Sequence, residues 1–204
     1  MIKHWSLGLI GTVCALTNQH VIAAELTRVP VMLESLYAPS PSPDITSLDC
    51  PFGWLIGSWH ARVVDYRDDG SIVRSDGEWH FAWVLEGRAI QDVWISPSKA
   101  SRAHLQNGAP NRYGTSLRSF DPARKKWRVT WTNPISGSYD VLWTHRDGPD
   151  IVMEGVDDQG RRMRWGFSDI RSDSARWYGE RSADGGKSWK LEAEFFLQRV
   201  STSN

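Results

Sequence analysis

The sequence predicts an all-β protein, a closed antiparallel β-barrel of about ten strands that follow one another as a meander. From Leu48 to Arg199, short runs rich in Val, Ile, Thr, Trp, Tyr and Phe are separated by clusters of Gly, Asp, Asn and Pro. Many of these runs alternate between apolar and polar residues, and no stretch carries a helical period. A meander with one apolar face must fold over as a sandwich or close on itself, and closure alone removes its unpaired edges.

The individual strands are predicted from this alternation. They lie near residues 55–66, 71–83, 88–96, 112–120, 126–133, 138–145, 150–156, 161–169, 174–182 and 188–199. Tyr139, Val141 and Trp143 form the predicted apolar face of the strand over 138–145, and the last strand alternates in the same way from Trp189 to Leu197. A barrel of this size has room for a small ligand, because even eight strands can enclose one.

Most of the predicted turns place Gly where a hairpin needs a positive φ, with Asp before it. They are Asp68-Asp69-Gly70, Asp147-Gly148, Asp157-Asp158-Gln159-Gly160 and Asp184-Gly185-Gly186. The last belongs to a Ser182-x-Asp184-x-Gly186-x-x-Trp189 pattern that matches the Asp-box hairpin of sialidase propellers. Because a propeller would repeat the pattern and this chain has one copy, we expect a structural role. The long connection from Pro97 to Asn111 has no pattern and is a candidate lid at one barrel mouth.

The segments that flank the barrel are predicted from their composition. Residues 1–24 have the features of a signal peptide, with Lys3 at a basic start, an apolar run, and Ala23 and Ala24 at a cleavage site. Residues 25–49 are predicted to be an extended Pro/Ser-rich segment, residues 50–199 the barrel domain and residues 200–204 a disordered tail. We therefore expect a periplasmic or secreted protein with no integral membrane segment in the mature chain.

The composition argues against several kinds of partner and site. Lys and Arg number 24 and Asp and Glu also number 24, so no excess of positive charge indicates a nucleic-acid partner. Cys50 is the only cysteine after the predicted signal, so no intrachain disulfide is expected. The histidines show no close metal-ligand spacing, and we expect no metal site. The sequence leaves open whether the barrel is a monomer or a homodimer.

Several short motifs carry a resemblance to a known family. Gly57-x-Trp59 at the head of the first strand resembles the signature that opens lipocalins and related calycins. It is accompanied by the segments 83–90, 120–127 and 181–189. Together these motifs look like an uncharacterised bacterial lipocalin-like (calycin) family, related in shape to nitrobindin and fatty-acid-binding barrels.

The resemblance implies structural roles for two residues. Trp59 should pack across the closed end of the barrel, and Gly57 should let another chain segment approach closely. Nitrobindin-type barrels hold haem through a histidine late in the chain, but no histidine follows His145 here. We therefore expect no cofactor.

The candidate ligand site consists of tryptophans and a few charged residues. Tryptophans on late strands would form an aromatic wall if they point inward, and charged residues would serve as polar anchors. The predicted ligand-binding residues are Trp131, Trp143, Trp165, Trp177, Arg88, Asp92, Trp94 and Arg181. Arg88 and Asp92 share one face of a strand, either as a buried pair that grips a ligand carboxylate or carbonyl, or as a salt bridge that clasps the strand ends.

A second group of residues would matter if the barrel is an enzyme. Glu78 and His80 lie two apart on one side of a strand, so His80 could move a proton while Glu78 or Asp92 orients it. The alternative is a solvated pair on the surface.

The sequence thus favours an exported binding protein that holds a small hydrophobic or aromatic ligand in a Trp-lined cavity. The alternatives are a cofactor-free lyase, isomerase or cyclase that acts on such a molecule in the same cavity, and an envelope protein that binds a partner through its outer face.

Overall fold

The computed structural model of the chain describes residues 29–45, 50–102, 104, 111–157 and 159–201. The predicted signal peptide and parts of the predicted lid and tail lie outside the described residues. The fold is a closed antiparallel barrel of ten strands with one further strand outside it, which confirms the predicted fold class. None of the helices in the described ranges has the length and apolar character that crossing a bilayer requires.

The strands follow one another along the chain with short connections. They are β1 (Tyr37–Ala38), β2 (Gly57–Tyr66), β3 (Ile72–Val84), β4 (Ala89–Ser96), β5 (Arg112–Asp121), β6 (Lys126–Asn133), β7 (Ser138–Asp147), β8 (Asp150–Val156), β9 (Arg162–Ser168), β10 (Ser174–Ser182) and β11 (Lys190–Arg199). Two short helices complete the described elements, α1 (Val31–Leu36) and α2 (Lys99–Arg102), together with a 3-10 turn over Gly53–Leu55.

The barrel closes because the last strand pairs with the first long one. Each strand from β2 to β11 pairs antiparallel with the next, and β11 then pairs with β2, with Phe195 opposite Val63. The short strand β1 pairs with the end of β3, where Ala38 lies opposite Trp83. This part of β3 extends beyond Gly57, at which β2 begins.

The N-terminal segment differs from the predicted extended chain. The chain divides into two compact units, Met1–Leu36 and Tyr37–Asn204. In the first unit, α1 begins after Pro30, whose carbonyl accepts the N–H groups of Leu33 and Glu34. Proline presets a helical φ at such a position, and the six residues that follow contain no Gly or Pro.

The Pro/Ser stretch in the second unit packs on the barrel instead of forming a free tether. Ala38 and Ser42 are buried, and the Ser42 N–H donates to the carbonyl of Gly87 at 3.0 Å. Gly87 has a φ of +75°, and a Cβ there would lie 2.3 Å from the Ser40 carbonyl oxygen. The glycine in the β3–β4 turn is therefore what lets this segment approach so closely.

One end of the barrel is filled by the residues around the 3-10 turn, and we call it the closed end. Phe52, Leu55 and Trp59 are completely buried, and the Trp59 Nε1–H donates to the Leu55 carbonyl at 2.7 Å. The Arg199 guanidinium lies 4.1 Å above the Trp59 ring and donates to the Ile56 carbonyl. These contacts fix the Trp59 ring between the 3-10 turn and the last strand.

The orientation predicted for strand β7 is wrong by one residue. Leu142 and Thr144 are buried inside the barrel, whereas Tyr139 is 63% exposed. Trp143 lies on the outer face, where the Arg124 guanidinium stands 5.4 Å from its ring. Val141, Leu142 and Trp143 form a continuous apolar run, so hydropathy alone leaves the inward face undecided, and a shift of one residue exchanges the two faces.

The hairpin between β10 and β11 is held by its Asp-box residues, as the structural interpretation predicted. The Asp184 carboxylate accepts the backbone N–H of Ser188 at 2.9 Å and its hydroxyl at 2.6 Å. The Ser182 hydroxyl oxygen accepts the Gly186 N–H at 2.7 Å. Hydrogen bonds from Ser188 and Ser182 hold the pKa of Asp184 well below its usual range.

Candidate ligand-binding site

The barrel interior contains a cavity of about 150 Å³. Side chains from strands β3, β4, β5, β6, β9, β10 and β11 converge on it from around the barrel. Its lining residues are Trp79, Trp94, Arg112, Ser116, Arg118, Trp131, Trp165, Trp177 and Phe195. Two of them, Trp131 and Trp165, are only half-buried, so the cavity communicates with solvent on their side.

A stack of three aromatic rings forms one wall of the cavity. Phe195 lies between Trp94, with ring centroids 4.5 Å apart, and Trp177, with centroids 4.2 Å apart, and both pairs are close to parallel. Trp79 packs beside the stack, 5.1 Å from Trp94 and 6.2 Å from Trp177. Aromatic rings that are packed against one another in this way present a rigid, flat and apolar surface.

Two glycines determine where the cavity tryptophans can lie. Gly77 and Gly114 are buried in β3 and β5, and each faces an indole on a neighbouring strand. A Cβ at Gly77 would lie 2.5 Å from the Trp94 ring, and a Cβ at Gly114 would lie 2.5 Å from the Trp131 ring. The absence of these side chains makes the space into which the two indoles extend.

A buried ion pair stands behind the aromatic wall. The Arg118 guanidinium donates from Nη1 to the Asp92 carboxylate, and their side chains are 3% and 0% exposed. The other carboxylate oxygen of Asp92 accepts the Ser116 N–H at 2.9 Å. The guanidinium also lies 5.2 Å from the Phe81 ring, within the range of a cation–π contact. The pair is neutral as a whole, which makes its burial tolerable.

A second ion pair lies on the half-buried side of the cavity. Arg112 at the start of β5 donates to Asp65 on β2, and their side chains are 26% and 19% exposed. The Arg112 guanidinium stands 5.7 Å from the Phe195 ring. The Arg112 side chain therefore contacts both the aromatic stack, at Phe195, and the charged side chain of Asp65.

Five of the eight predicted ligand residues are at the cavity. Trp94, Trp131, Trp165 and Trp177 line it, and Asp92 supports it from behind through Arg118. Trp143 is outside the barrel, as described above. Tryptophan patterning therefore identified four of the five tryptophans that line the cavity, but it could not separate inner from outer positions on β7.

The two predicted arginine anchors lie elsewhere. Arg88 precedes β4, is 55% exposed and pairs with Asp44, so the partner of Asp92 is Arg118 and not Arg88. The alternation of β4 does not reach Arg88, because this residue belongs to the β3–β4 turn and its N–H donates to the Leu85 carbonyl. Arg181 pairs with Asp157 and Glu192 and does not line the cavity.

The predicted acid–base group is divided between the two faces of the barrel. His80 is 39% exposed on the outer face, with Nδ1 2.9 Å from the Ser58 hydroxyl oxygen and Nε2 3.2 Å from the Glu78 carboxylate. Asp92 is inside. Since neighbouring residues of β3 point to opposite faces, the inward position of Trp79 places Glu78 and His80 outside. His80 therefore does not face the cavity.

The residues that the sequence did not identify come mainly from β5. Arg112, Ser116 and Arg118 occupy alternate positions of this strand and all reach the cavity. Polar residues at alternate positions are typical of the solvent-facing side of a strand. Hydropathy therefore predicts that these residues lie outside the barrel. The remaining two are Trp79 and Phe195, and Phe195 could have been found from the predicted apolar face of the last strand.

Only the first part of the predicted lid is described. Helix α2 is anchored to β3, because the Lys99 N–H donates to the Glu78 carboxylate and the Ser101 hydroxyl donates to Asp76 at 3.1 Å. Residues 103 and 105–110 lie outside the described residues, so the lid itself stays a prediction.

Comparison with known proteins identifies the fold but no family. No protein-family model and no curated protein matches the chain. The crystal structure of Rv2717c from M. tuberculosis is similar, with a TM-score of 0.53 and 16% identity over 79% of this chain and 100% of that one. The structure of the S-type phycobiliprotein lyase CPES from Guillardia theta has a TM-score of 0.52 and 10% identity, over 78% and 95%. The shared feature is the ten-stranded calycin-like barrel.

Proposed function

We propose that this protein binds a small, largely apolar aromatic molecule inside its barrel. The observation that carries the proposal is the cavity of about 150 Å³ whose wall is the Trp94, Phe195 and Trp177 stack. An apolar cavity of about this volume holds one benzene-sized molecule. A ligand that extends past Trp131 and Trp165 toward solvent could be larger, with its ring end inside.

The expected affinity is modest for a ligand that fills only the inner cavity. The binding free energy of a very small ligand does not exceed about 1.5 kcal/mol per non-hydrogen atom. Below that limit, a small aromatic compound should have a Kd on the order of 10 μM to 1 mM. A natural ligand that also contacts Arg112 and the half-buried tryptophans would bind more tightly.

The test is a titration by isothermal titration calorimetry. Indole, naphthalene, acetophenone and hexadecanoate serve as probes, and the aromatic probes should bind with a saturable heat signal. Ser116→Phe places a ring in the cavity and should abolish binding, whereas Trp143→Phe on the outer face should leave the Kd unchanged. Circular dichroism checks that both variants fold. An absence of saturable response with every probe would overturn the proposal.

A second candidate is an enzyme in the same cavity, a cofactor-free lyase, isomerase or cyclase. It is favoured by the fold that this chain shares with the phycobiliprotein lyase CPES. Among the described residues, the ionisable side chains at the cavity are those of Arg112 and Arg118, with Asp92 behind Arg118. Conversion of a bound probe that is lost in Asp92→Asn while binding persists would support this function, and unchanged probe after long incubation would argue for a binder.

We also infer that the protein is exported to the periplasm or secreted, which rests on residues 1–24 alone. The same motifs that resemble lipocalins support membership of a bacterial lipocalin-like family related to nitrobindin. Mass determination of the N-terminus after expression in a Gram-negative host tests the export, because cleavage near Ala24 would remove the leader.

A further inference from the structure

Among the described residues, the lining of the cavity contains one hydroxyl group, that of Ser116. Ser116 lies on β5 between Arg112 and Arg118, at alternate positions of this strand, and it is 2% exposed. On the neighbouring strand β6 it lies opposite Trp131, which also lines the cavity. A hydroxyl buried at this place needs a hydrogen-bond partner, because buried polar side chains in native proteins are almost always paired.

The Ser116 hydroxyl is open to the cavity. It has no hydrogen-bond partner among the described residues, because the bond from Ser116 to Asp92 uses the backbone N–H. The unpartnered side-chain atoms that are completely sealed include the indole nitrogens of Trp79 and Trp94 but not the Ser116 oxygen. Since Ser116 is otherwise buried and lines the cavity, a molecule inside the barrel can reach its hydroxyl.

The charged side chains of the lining are already matched with carboxylates. Arg118 pairs with Asp92, and Arg112 pairs with Asp65. Asp92 also accepts the Ser116 N–H at 2.9 Å, so a ligand anion at the Ser116 hydroxyl would lie near a carboxylate. An uncompensated charge in a buried site is costly. These charges favour a neutral group beside Ser116.

A neutral oxygen substituent on the ligand suits this hydroxyl. A serine hydroxyl has one hydrogen to donate and two lone pairs that accept. A ligand hydroxyl can therefore bond to it in either direction, and a ligand carbonyl oxygen can accept its hydrogen. The ring that carries the substituent would pack on the stack of Trp94, Phe195 and Trp177.

We infer that Ser116 is a specificity-determining residue, which selects aromatic ligands with a neutral hydroxyl or carbonyl group by hydrogen bonding to that group. The inference rests on the proposed function and narrows its ligand class from aromatic molecules in general to phenols, aryl alcohols and aryl carbonyl compounds.

The experiment compares pairs of compounds of nearly the same shape in the unmodified protein and in Ser116→Ala. Phenol and toluene form one pair, and benzaldehyde and styrene form the other, so the pairs distinguish a hydroxyl from a carbonyl. Dissociation constants come from NMR chemical-shift titration of the ¹⁵N-labelled protein. Because the two compounds of a pair differ in hydration, the quantity compared between proteins is the ratio of their affinities.

Ser116→Ala removes the hydroxyl and keeps the backbone N–H that Asp92 accepts. It should reduce the affinity of phenol relative to toluene, or of benzaldehyde relative to styrene, about three- to tenfold, which corresponds to one neutral hydrogen bond. Ser119→Ala is the matched control, since Ser119 is a half-buried serine of the same strand that does not line the cavity. Its affinity ratios should equal those of the unmodified protein.

The outcomes separate this inference from the proposed function. Affinity ratios that Ser116→Ala leaves unchanged for both pairs would overturn the role of Ser116 and leave the binding function standing. Benzoate binding that is tighter than that of phenol and benzaldehyde, and that depends on Ser116, would overturn the neutral assignment in favour of an anion. Failure of every compound to bind, together with failure of the broader probes, would overturn both.

Discussion

Replacing Asp92 by Asn removes the negative charge that faces Arg118 but keeps an oxygen for the Ser116 N–H. The guanidinium would then be a buried cation without a counter-charge, in a position where its side chain is 3% exposed. Breaking a buried ion pair by removing one partner costs about 3–5 kcal/mol. For a chain of this size each kcal/mol lowers Tm by about 2–4 °C, so the loss should be roughly 6–20 °C.

A double-mutant cycle separates the pair from the other contacts of each residue. Arg118→Met removes the cation and fills a similar volume, and it should also be destabilising because it strands the Asp92 carboxylate. In the double variant Asp92→Asn with Arg118→Met no charge remains, and hydrophobic replacement of such pairs is often close to neutral. We therefore expect the double variant to be more stable than either single variant, with a coupling of about 2–4 kcal/mol.

The assay is urea unfolding followed by tryptophan fluorescence, with thermal unfolding by circular dichroism as the second probe. The two probes must give coincident transitions for the free energies to be used. Single-variant losses below about 1 kcal/mol, or losses that simply add in the double variant, would refute the assignment of Asp92 and Arg118 as a coupled buried pair.

Three further perturbations test separate features of the barrel. Gly114→Ala should cost about 1–3 kcal/mol by urea unfolding, because its Cβ would meet the Trp131 ring, whereas Gly53→Ala has ordinary van der Waals space and should be near neutral. Asp184→Asn should lower Tm at neutral pH, because the pKa of Asp184 in the folded chain lies below its ordinary value of 3.8. The difference in Tm between the variant and the unmodified protein should shrink as the pH falls below 3.8, where the ionised carboxylate progressively ceases to stabilise the fold. His80→Ala should leave ligand affinity unchanged, and a large loss would contradict its place on the outer face.

The local pattern of the chain was enough to predict the architecture. Period-two alternation and the Gly-containing turns are properties of neighbouring residues, so the ten strands and their meander order could be read directly. Closure followed from the need to remove unpaired edges. The resemblance of Gly57 and Trp59 to the lipocalin signature implied that Trp59 packs across one barrel end, and in the structure Trp59 is completely buried beside the 3-10 turn.

The composition of the cavity wall depended on the tertiary structure. The pairing of β11 with β2 and the barrel curvature bring Phe195, Trp94 and Trp79 together from distant parts of the chain. Asp92 pairs with Arg118 across the β4–β5 pair and not with Arg88, which lies in the turn before β4 and pairs with Asp44. Register between strands is a non-local property, and no hydropathy pattern within one strand encodes it.

The amino-acid sequence alone predicted a tryptophan-rich barrel of about ten strands, because the alternation that marks each strand repeats every two residues. Only the folded chain decided that the polar side of β5 faces the cavity and that Trp143 faces away from it. The reason is that an inward polar residue becomes favourable only when a partner such as Asp92 neutralises it from another strand.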